Sequence, residues 1–211
     1  AGYDVQSSRL AIVPFPELMR TESIVESVQF SQELEHAAVV NGFDYVSAGP
    51  VFPEQLAYYP HVYEILRATQ NVFASASMTT HRGEVSMPAI KACSDIIHKS
   101  STITSDGFGN LYFAALANVP PGIPFFPAAY HCDSDRLHRP VFSLAMESAD
   151  IVIESISISE NLSGVREALI SKVEHEANKL SELARIFASK SGSIFGGIDF
   201  TPAPFPTREA S

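Results

Sequence analysis

Short apolar, β-branched stretches alternate with helical patterns along the chain, and this alternation constrains the fold more than any other feature of the sequence. Several stretches are apolar on both faces, as strands must be in a sheet that is covered on both sides. The pattern predicts a mainly parallel α/β fold with right-handed crossovers between strands. The predicted strands are 9–15, 43–49, 71–78, 110–117, 150–157 and 193–200.

Four segments between the strands carry helical periodicity. The clearest is 164–189, with Ser163 as the candidate N-cap and Gly192 after its end. A second covers 22–40, with Thr21 as the candidate cap, and less regular patterns cover 55–69 and 88–99. The stretch 119–149 holds Pro-rich turns and a polar segment, with no convincing helix before Val141, and a long loop in a compact α/β domain is more often functional than idle.

Composition excludes several classes of protein. The 211 residues include 14 Lys+Arg against 24 Asp+Glu, a net charge of −10 that disfavours a nucleic-acid binder. Apolar residues make up 45%, too many for a disordered chain, yet no apolar run approaches membrane-spanning length. Cys93 is expected in the core. Two cysteines do not make a disulfide framework, so we expect a reducing, cytoplasmic compartment.

His131 is the first candidate for chemistry. It ends the tight apolar run 124–130, and an imidazole held by a rigid segment can act as a general acid or base near neutral pH. The alternative is a core histidine bonded to a backbone carbonyl. Beyond it, Asp133, Asp135 and His138 could ligate a divalent cation, although a solvated polar loop explains this stretch more simply.

Asp199 is a second candidate, because ligands gather at the carboxyl ends of strands in parallel α/β folds. The competing interpretation, an Asp that caps the following turn, is equally favoured.

The segment 75–83 follows a predicted strand and precedes a predicted helix. Ser75, Ser77 and Arg82, together with backbone N–H groups, could hold a carboxylate or phosphate there. The segment lacks the spacing of a P-loop, so ordinary turn chemistry is the simpler interpretation.

Three passages together resemble a known family. They are 195–206 (FGGIDFTPAPFP), 124–131 (PFFPAAYH) with Asn118 upstream, and 147–153 (ESADIVI). The chain is similar in these passages, in their order and in much of their spacing to domain-of-unknown-function family 711, which is grouped structurally with pyruvate formate-lyase-type barrels.

The resemblance implies a fold and a set of site residues. Family members are longer, so 1–211 resembles their N-terminal and middle part, a single α/β domain forming about half of a barrel. A partner segment, a companion chain or other copies would then complete it. The residues that match family positions are Asn118, His131, Glu147, Asp150, Asp199 and Thr201.

Two departures from the family stand out. The link between His131 and Glu147 is longer here, and Ser77 stands where the family tends to have Asn. Relatives by fold use a glycyl radical and a cysteine pair, and 1–211 contains neither adjacent cysteines nor a glycyl-radical loop.

The favoured hypothesis is an enzyme that acts on a small anionic metabolite by general acid/base chemistry. His131, Glu147 and Asp199 would be catalytic, with a divalent cation as an option. The substrate would contact Ser75, Ser77, Arg82, Asn118 and Thr201. The alternatives are a non-catalytic metabolite-binding protein and a structural subunit of a larger assembly.

Overall fold

The computed structural model describes residues 2–132 and 139–202. The chain divides into two compact units, Ala1–Arg136 and Leu137–Ser211. Both units combine helices with parallel strands, which confirms the predicted α/β class. The expectation of one incomplete domain over 1–211 stays a prediction. Within the described ranges, no helix is long and apolar enough to cross a membrane.

The first unit is a four-stranded parallel sheet in the order β1-β2-β3-β4. Short 3₁₀ helices at Pro53–Tyr58, Phe108–Tyr112 and Phe126–Ala128 complete the unit. Its strands and helices are β1 (Arg9–Ala11), α1 (Phe15–Leu18), α2 (Ile24–Val40), β2 (Tyr45–Val51), α3 (Tyr59–Ala68), β3 (Val72–Ser77), α4 (Met87–Ser100) and β4 (Phe113–Leu116).

The two central strands are buried on both faces, as their apolar sequences predict. On one face, Val46 of β2 lies beside Val72 of β3, and both pack against apolar residues of α2, α3 and α4. Cys93 of α4 belongs to this core with 1% of its surface exposed, which confirms its predicted position. Burial raises the pKa of its thiol to about 11.

The opposite face of the sheet is covered by the chain around the 3₁₀ helix Phe126–Ala128. The ring of Phe73 makes an edge contact with the ring of Phe126, with centroids 5.1 Å apart. Ser47 donates a hydrogen bond from Oγ to the carbonyl oxygen of Ala129 at 3.3 Å. This segment therefore crosses the sheet before it reaches Tyr130 and His131.

Gly49 interrupts the register of β2 against β3. The pairing shifts between Ser47 and Pro50, and Gly49 adopts a left-handed φ of 74° within this irregularity. A Cβ atom at this position would lie 2.9 Å from the Cα atom of Pro14. Both the backbone conformation and the close approach of another chain segment therefore require glycine here.

In the second unit, two paired parallel strands are connected along the chain by two helices. Its elements are β5 (Val141–Ala145), α5 (Ala149–Ser157), α6 (Leu162–Ser191) and β6 (Ile194–Asp199), with β5 and β6 in parallel register. Phe142 of β5 contacts both Phe187 of α6 and Phe195 of β6. Leu180 and Ala184 of α6 are buried, so the inner face of this long helix forms the core of the unit.

The predicted strand 150–157 is wrong, because this stretch is the helix α5. Its β-branched residues favour a strand by propensity, but packing against α6 overrides that preference. Ser155 is buried and donates from Oγ to the carbonyl oxygen of Ile151, one turn earlier. Among the described residues of 119–149 there is no α-helix before Val141, as predicted, but the strand β5, the parallel partner of β6, is not predicted by the sequence.

The other predicted elements are present with shifted ends. The first and fourth strands are shorter than predicted, because α1 begins at Phe15 and a 3₁₀ helix occupies Phe108–Tyr112. The segment 55–69 is divided between a 3₁₀ helix and α3. The N-cap of α2 is Ser23 rather than Thr21, and that of α6 is Asn161 rather than Ser163. In both helices the true cap has an extended backbone and accepts from the N–H three residues later.

A histidine is buried between α2 and α3. His61 is 2% exposed, and its Nδ1 lies 2.9 Å from Oγ of the fully buried Ser27. Burial lowers the pKa of His61 below its ordinary value, and the nearby carboxylate of Glu22 opposes this shift. The folded protein therefore holds this imidazole neutral at pH values where an unfolded chain would protonate it.

The close approach at Gly49 predicts a large difference between two glycine substitutions. Gly49→Ala should lower the free energy of unfolding by about 3 kcal/mol, because strain and a backbone clash add together. Gly42→Ala is the matched control, since Gly42 has a φ of 84° and a Cβ atom there would meet nothing within 4 Å. It should cost about 1 kcal/mol. Urea unfolding of both variants checks this, and equal losses would contradict the role of the Pro14 contact.

The neutral His61 predicts a pH dependence of stability. Because its folded pKa is lowered, stability is complete above the unfolded pKa of about 6.5 and decreases as the pH falls below it. His61→Gln should flatten this decrease by up to about 1.4 kcal/mol per pH unit. Urea unfolding at several pH values around the unfolded pKa measures it. His36→Gln, which removes an exposed histidine of α2, should leave the slope unchanged; an equal effect of both variants would contradict the assignment.

Candidate functional site

A cleft of about 390 Å³ opens in the first unit where β2, β3 and β4 end. Because the strands are parallel, their carboxyl ends meet at one edge of the sheet, the usual position of ligand sites in such folds. The cleft therefore lies where the α/β class predicts a site. It is lined by Phe52, Ser77, Thr79, Thr80, His81, Arg82, Gly83, Asn118, Val119, Pro120, Pro121 and Tyr130.

The loop between β3 and α4 is a tight hairpin that uses its own backbone donors. Thr79 and Val85 form an antiparallel bridge, and the Thr80 N–H donates to the carbonyl oxygen of Glu84 at 2.9 Å. The hydroxyl of Thr80 accepts from the N–H groups of Arg82 and Glu84, at 3.3 and 3.1 Å. The Gly83 N–H donates to the Thr80 carbonyl at 2.9 Å.

The remaining amides of the hairpin are also paired. The N–H of His81 donates to Oε1 of Glu54 at 3.1 Å, and that of Thr79 donates to Oγ of Ser77 at 3.2 Å. Every N–H from Thr79 to Glu84 thus has an acceptor within the protein. The backbone of this loop has no N–H left over for an anion, in contrast to a phosphate-binding nest.

Aromatic rings form one wall of the cleft. The imidazole of His81 stacks on the ring of Phe52, with centroids 3.8 Å apart and planes 29° apart. Tyr130 makes an edge contact with the same ring at 5.8 Å. Its hydroxyl donates to the Val119 carbonyl oxygen at 3.0 Å, and burial is the main cause that raises the pKa of this phenol. The phenol is therefore a structural donor that ties the wall to the chain that leaves β4.

Three polar side chains of the cleft, those of His81, Arg82 and Asn118, make no hydrogen bond to any residue that the structure describes. Arg82 is exposed, and its guanidinium forms no ion pair within the described ranges. Asn118 has a left-handed φ of 54°, and its backbone N–H donates to Oγ1 of Thr79 at 2.9 Å. Its side-chain Oδ1 would lie 3.2 Å from a Cβ atom at Gly83, whose left-handed φ of 82° also favours glycine. These are the groups with which a ligand can pair.

The structure brings together three of the predicted substrate-binding residues: Ser77, Arg82 and Asn118 all line the cleft. Ser75 belongs to the same strand as Ser77 but does not line the cleft. It is fully buried, and its Oγ has no hydrogen-bond partner in the described part of the chain. Ser77 fills a local role, because its Oγ donates to the carbonyl oxygen of Thr79 at 2.6 Å.

His131 lies at the same edge of the sheet, beyond the end of β1. Its backbone N–H donates to the carbonyl oxygen of Ile12 at 3.1 Å, which fixes the main chain there. The imidazole is partly buried and makes no hydrogen bond to a described residue. His131 is absent from the lining of the cleft, whereas its neighbour Tyr130 is part of it.

In the second unit, Asp199 is the last residue of β6 and Glu147 shortly follows the end of β5. The N–H of Met146 donates to the Asp199 carbonyl oxygen at 2.8 Å, so the two strand ends are adjacent. Oδ1 of Asp199 accepts from the N–H and the hydroxyl of Thr201, at 2.8 and 2.5 Å. Asp199 therefore caps the following turn, which is one of the two roles that the sequence predicts for it. Its second carboxylate oxygen, Oδ2, remains for other contacts. Glu147 is exposed.

The suggested cation ligands Asp133, Asp135 and His138 lie outside the described residues. Among the residues that are described, no group of three His, Cys, Asp or Glu side chains is placed to hold a metal ion.

The aromatic wall of the cleft is the feature that sequence reasoning misses. The sequence assigns no role to His81, and nothing in it connects this residue with Phe52 or Tyr130, which are distant along the chain. The only feature of the sequence that could indicate this wall is the position of its residues after strands. Phe52 directly follows a buried strand, and His81 follows β3 after a short turn. Side chains that follow successive parallel strands gather at one edge.

Comparison with known proteins links the whole chain to one family. Residues 1–211 match the family described as "Uncharacterised ACR (DUF711)". The chain is 23% identical over 214 residues to a UPF0210 protein of Actinobacillus pleuropneumoniae and 23% identical over 213 residues to one of Neisseria gonorrhoeae. A UPF0210 protein of Clostridium botulinum is 23% identical over 215 residues. Each match covers 97% of this chain and 47% of the relative, so the chain spans about half the length of these relatives.

The hairpin geometry predicts that the Thr80 hydroxyl holds the cleft loop in place. Thr80→Val removes the acceptor of two N–H groups, each bond contributing about 1 kcal/mol. Hydrogen exchange at the amides of Arg82 and Glu84 should accelerate by roughly tenfold. Thr80→Ser keeps the hydroxyl and should exchange as the unmodified protein does. Unchanged exchange in the valine variant would contradict this role of the hydroxyl.

Proposed function

The chain belongs to the DUF711 family, and from that premise we propose that it supplies the binding cleft of an enzyme that acts on a small anionic metabolite by general acid/base chemistry. The names of its relatives state no reaction. The proposal is therefore supported by the chemistry of the cleft, and a single observation carries it. That observation is an exposed Arg82 guanidinium without an acidic partner among the described residues, in a cleft at the carboxyl edge of a parallel sheet.

Arg82 favours an anion for two physical reasons. A guanidinium is charged at all ordinary pH values and presents its donors in a planar fork that fits carboxylate and phosphate groups. The chain as a whole carries a net charge of −10, so an unpaired cation in a concave site is a local exception to its acidic surface. Asn118 adds a second uncommitted polar group at the same cleft.

His81 is the imidazole that we propose for acid/base chemistry in the cleft, because it lines the cleft and its ring is oriented by stacking on Phe52. His131, Glu147 and Asp199 remain candidates for the catalytic role that the sequence suggests. Glu147 follows the end of β5, Asp199 ends β6 and His131 lies beyond the end of β1, which supports keeping them. The role of a divalent cation gains no support from the described residues.

We also propose that the sheet of the first unit is part of an α/β barrel of the pyruvate formate-lyase type. The strand order β1-β2-β3-β4 is sequential, and α2, α3 and α4 pack on the same face of the sheet. A doubly wound sheet would reverse its order and carry helices on both faces. Since the relatives are about twice as long, the remaining strands would come from a further segment, a companion chain or other copies.

A structural subunit of a larger assembly is the second candidate function. It is favoured by large apolar side chains that stay exposed on α5, α6 and the turn between them. These are Ile156, Ile158, Leu162, Ile170, Leu183, Ile186 and Phe187. Several large apolar side chains left exposed on these elements favour an interface. A purely structural subunit would bind no small anion at the cleft, so a measurement of anion binding separates the two functions.

The proposed function predicts anion binding that depends on Arg82. In a thermal-shift screen of small carboxylates and phosphates, at least one should raise the Tm by a few degrees. A ligand at about a hundred times its Kd adds about 2.7 kcal/mol to stability. Arg82→Gln should abolish the shift. Arg67→Gln is the matched control, because Arg67 is an arginine of the α3 surface paired with Glu64, and it should keep the shift.

Two outcomes would contradict the proposal: no anion shifts the Tm of the unmodified chain, or Arg82→Gln responds as Arg67→Gln does. Catalysis is then separated from binding alone with the anion that gives the largest shift. Incubated in D₂O, an acid/base enzyme should exchange an acidic hydrogen of the bound anion, and His81→Gln should slow this exchange with little loss of binding. Absence of exchange would favour a non-catalytic binding protein.

A further inference from the structure

We propose that the cleft selects a monocarboxylate with a flat apolar body, such as an aryl or unsaturated carboxylic acid, in preference to a phosphate ester. This inference rests on the proposed anion-binding function and specifies its substrate class. It follows from three features of the cleft: which donors are already used, how much negative charge surrounds the anion position, and what shape the walls have.

The donors of the hairpin are the first feature. Phosphate sites built on loops depend on several backbone N–H groups that converge on the phosphate oxygens. Here the six N–H groups from Thr79 to Glu84 all donate to acceptors inside the protein. A phosphate with three terminal oxygens would therefore receive no hydrogen bond from the backbone of this hairpin.

The side-chain hydroxyls of the cleft are largely used as well. Ser77 donates from Oγ to the Thr79 carbonyl oxygen, and Thr79 accepts the Asn118 N–H at its own Oγ1. Thr80 accepts two N–H groups at Oγ1. The side-chain donors left uncommitted are the planar guanidinium of Arg82 and the side-chain amide of Asn118, together with the imidazole of His81 and the O–H of Thr80. The guanidinium and the amide are planar groups that match the two oxygens of a carboxylate.

Negative charge near the cleft favours a monoanion over a dianion. Glu54 contacts the loop through its bond to the His81 N–H, and Glu84 lies in the hairpin itself. Each additional unit of ligand charge is repelled by these carboxylates and by the net charge of −10. One arginine balances the single charge of a carboxylate, whereas a phosphate monoester carries almost two.

The walls favour a flat apolar body attached to that carboxylate. The stacked Phe52 and His81 rings and the edge of Tyr130 form one wall. Val119, Pro120 and Pro121, which follow β4, belong to the lining of the same cleft. Aromatic rings prefer to pack against flat groups, and proline rings are rigid, so a planar ligand loses little conformational entropy there. A volume of about 390 Å³ is at the small end of ligand sites.

The test compares four probes with the full 211-residue chain: phenylacetate, acetate, phenyl phosphate and inorganic phosphate. Isothermal titration or ligand-observed NMR gives their dissociation constants. We expect phenylacetate to bind at least tenfold more tightly than acetate and phenyl phosphate. His81→Gln should remove most of the advantage over acetate, while His36→Gln, at an exposed position of α2, should keep it.

Variants at Arg82 test the planar fork directly. Arg82→Lys keeps the positive charge but loses the paired donors, so phenylacetate affinity should fall about tenfold while phenyl phosphate affinity changes less. Arg82→Gln should abolish binding of phenylacetate, and Arg67→Gln should not change it. Equal losses of both probes in Arg82→Lys would overturn the carboxylate geometry.

The outcomes separate this inference from the function on which it rests. If phenyl phosphate binds as tightly as phenylacetate or more tightly, and Arg82→Gln abolishes it, the anion site stands and the carboxylate class is wrong. If acetate binds as well as phenylacetate, the flat body is wrong. If none of the four probes binds in an Arg82-dependent way, this inference fails. The proposed function then also fails for these four anions.

Discussion

The pairing of β2 with β3 is the constraint on which the first unit depends, because both strands are buried on both faces. On one face they require helices, and α2, α3 and α4 supply apolar side chains for Val46 and Val72. On the other face they require a second cover, which the 3₁₀ segment Phe126–Ala128 provides through the ring of Phe73. That cover is what delivers Tyr130 to the carboxyl edge of the sheet. The site is therefore a consequence of how the core is closed, and not an addition to it.

Polar groups at the end of β3 show how the same packing limits the chemistry of the cleft. A hydroxyl buried beside a sheet is costly unless it is hydrogen-bonded, so Ser77 and Thr79 pair within the turn. The hairpin that follows is stable because Thr80 satisfies two of its amides. A loop that satisfies its own backbone is rigid, and its uncommitted polar groups are then on side chains, such as those of Arg82 and Asn118. The rigidity of the loop and the small number of polar groups it leaves exposed thus have the same origin.

Elements whose sequence pattern agrees with their environment are the ones that can be predicted. The strands at 43–49, 71–78 and 193–200 and the helix at 164–189 are correct because burial and periodicity agree there. The stretch 150–157 is misassigned because its β-branched residues favour a strand, while its packing against α6 is a tertiary effect. The position of the loop after a strand is enough to suggest Ser77 and Arg82, and the family resemblance adds Asn118, yet neither reveals the stack of Phe52 on His81. That stack joins residues that follow different strands, and a single sequence carries no record of such a contact.

The two units place different chemistry at the carboxyl ends of their parallel strands. In the first unit these ends carry a cation and an imidazole, Arg82 and His81, and in the second they carry the carboxylates of Glu147 and Asp199. Because Oδ1 of Asp199 is used by Thr201, Asp199 can meet a ligand or a proton through Oδ2 alone. Such a carboxylate suits orientation of a neighbouring group better than bidentate metal binding. Glu147 is exposed and lies outside that turn, so its carboxylate is less constrained than that of Asp199.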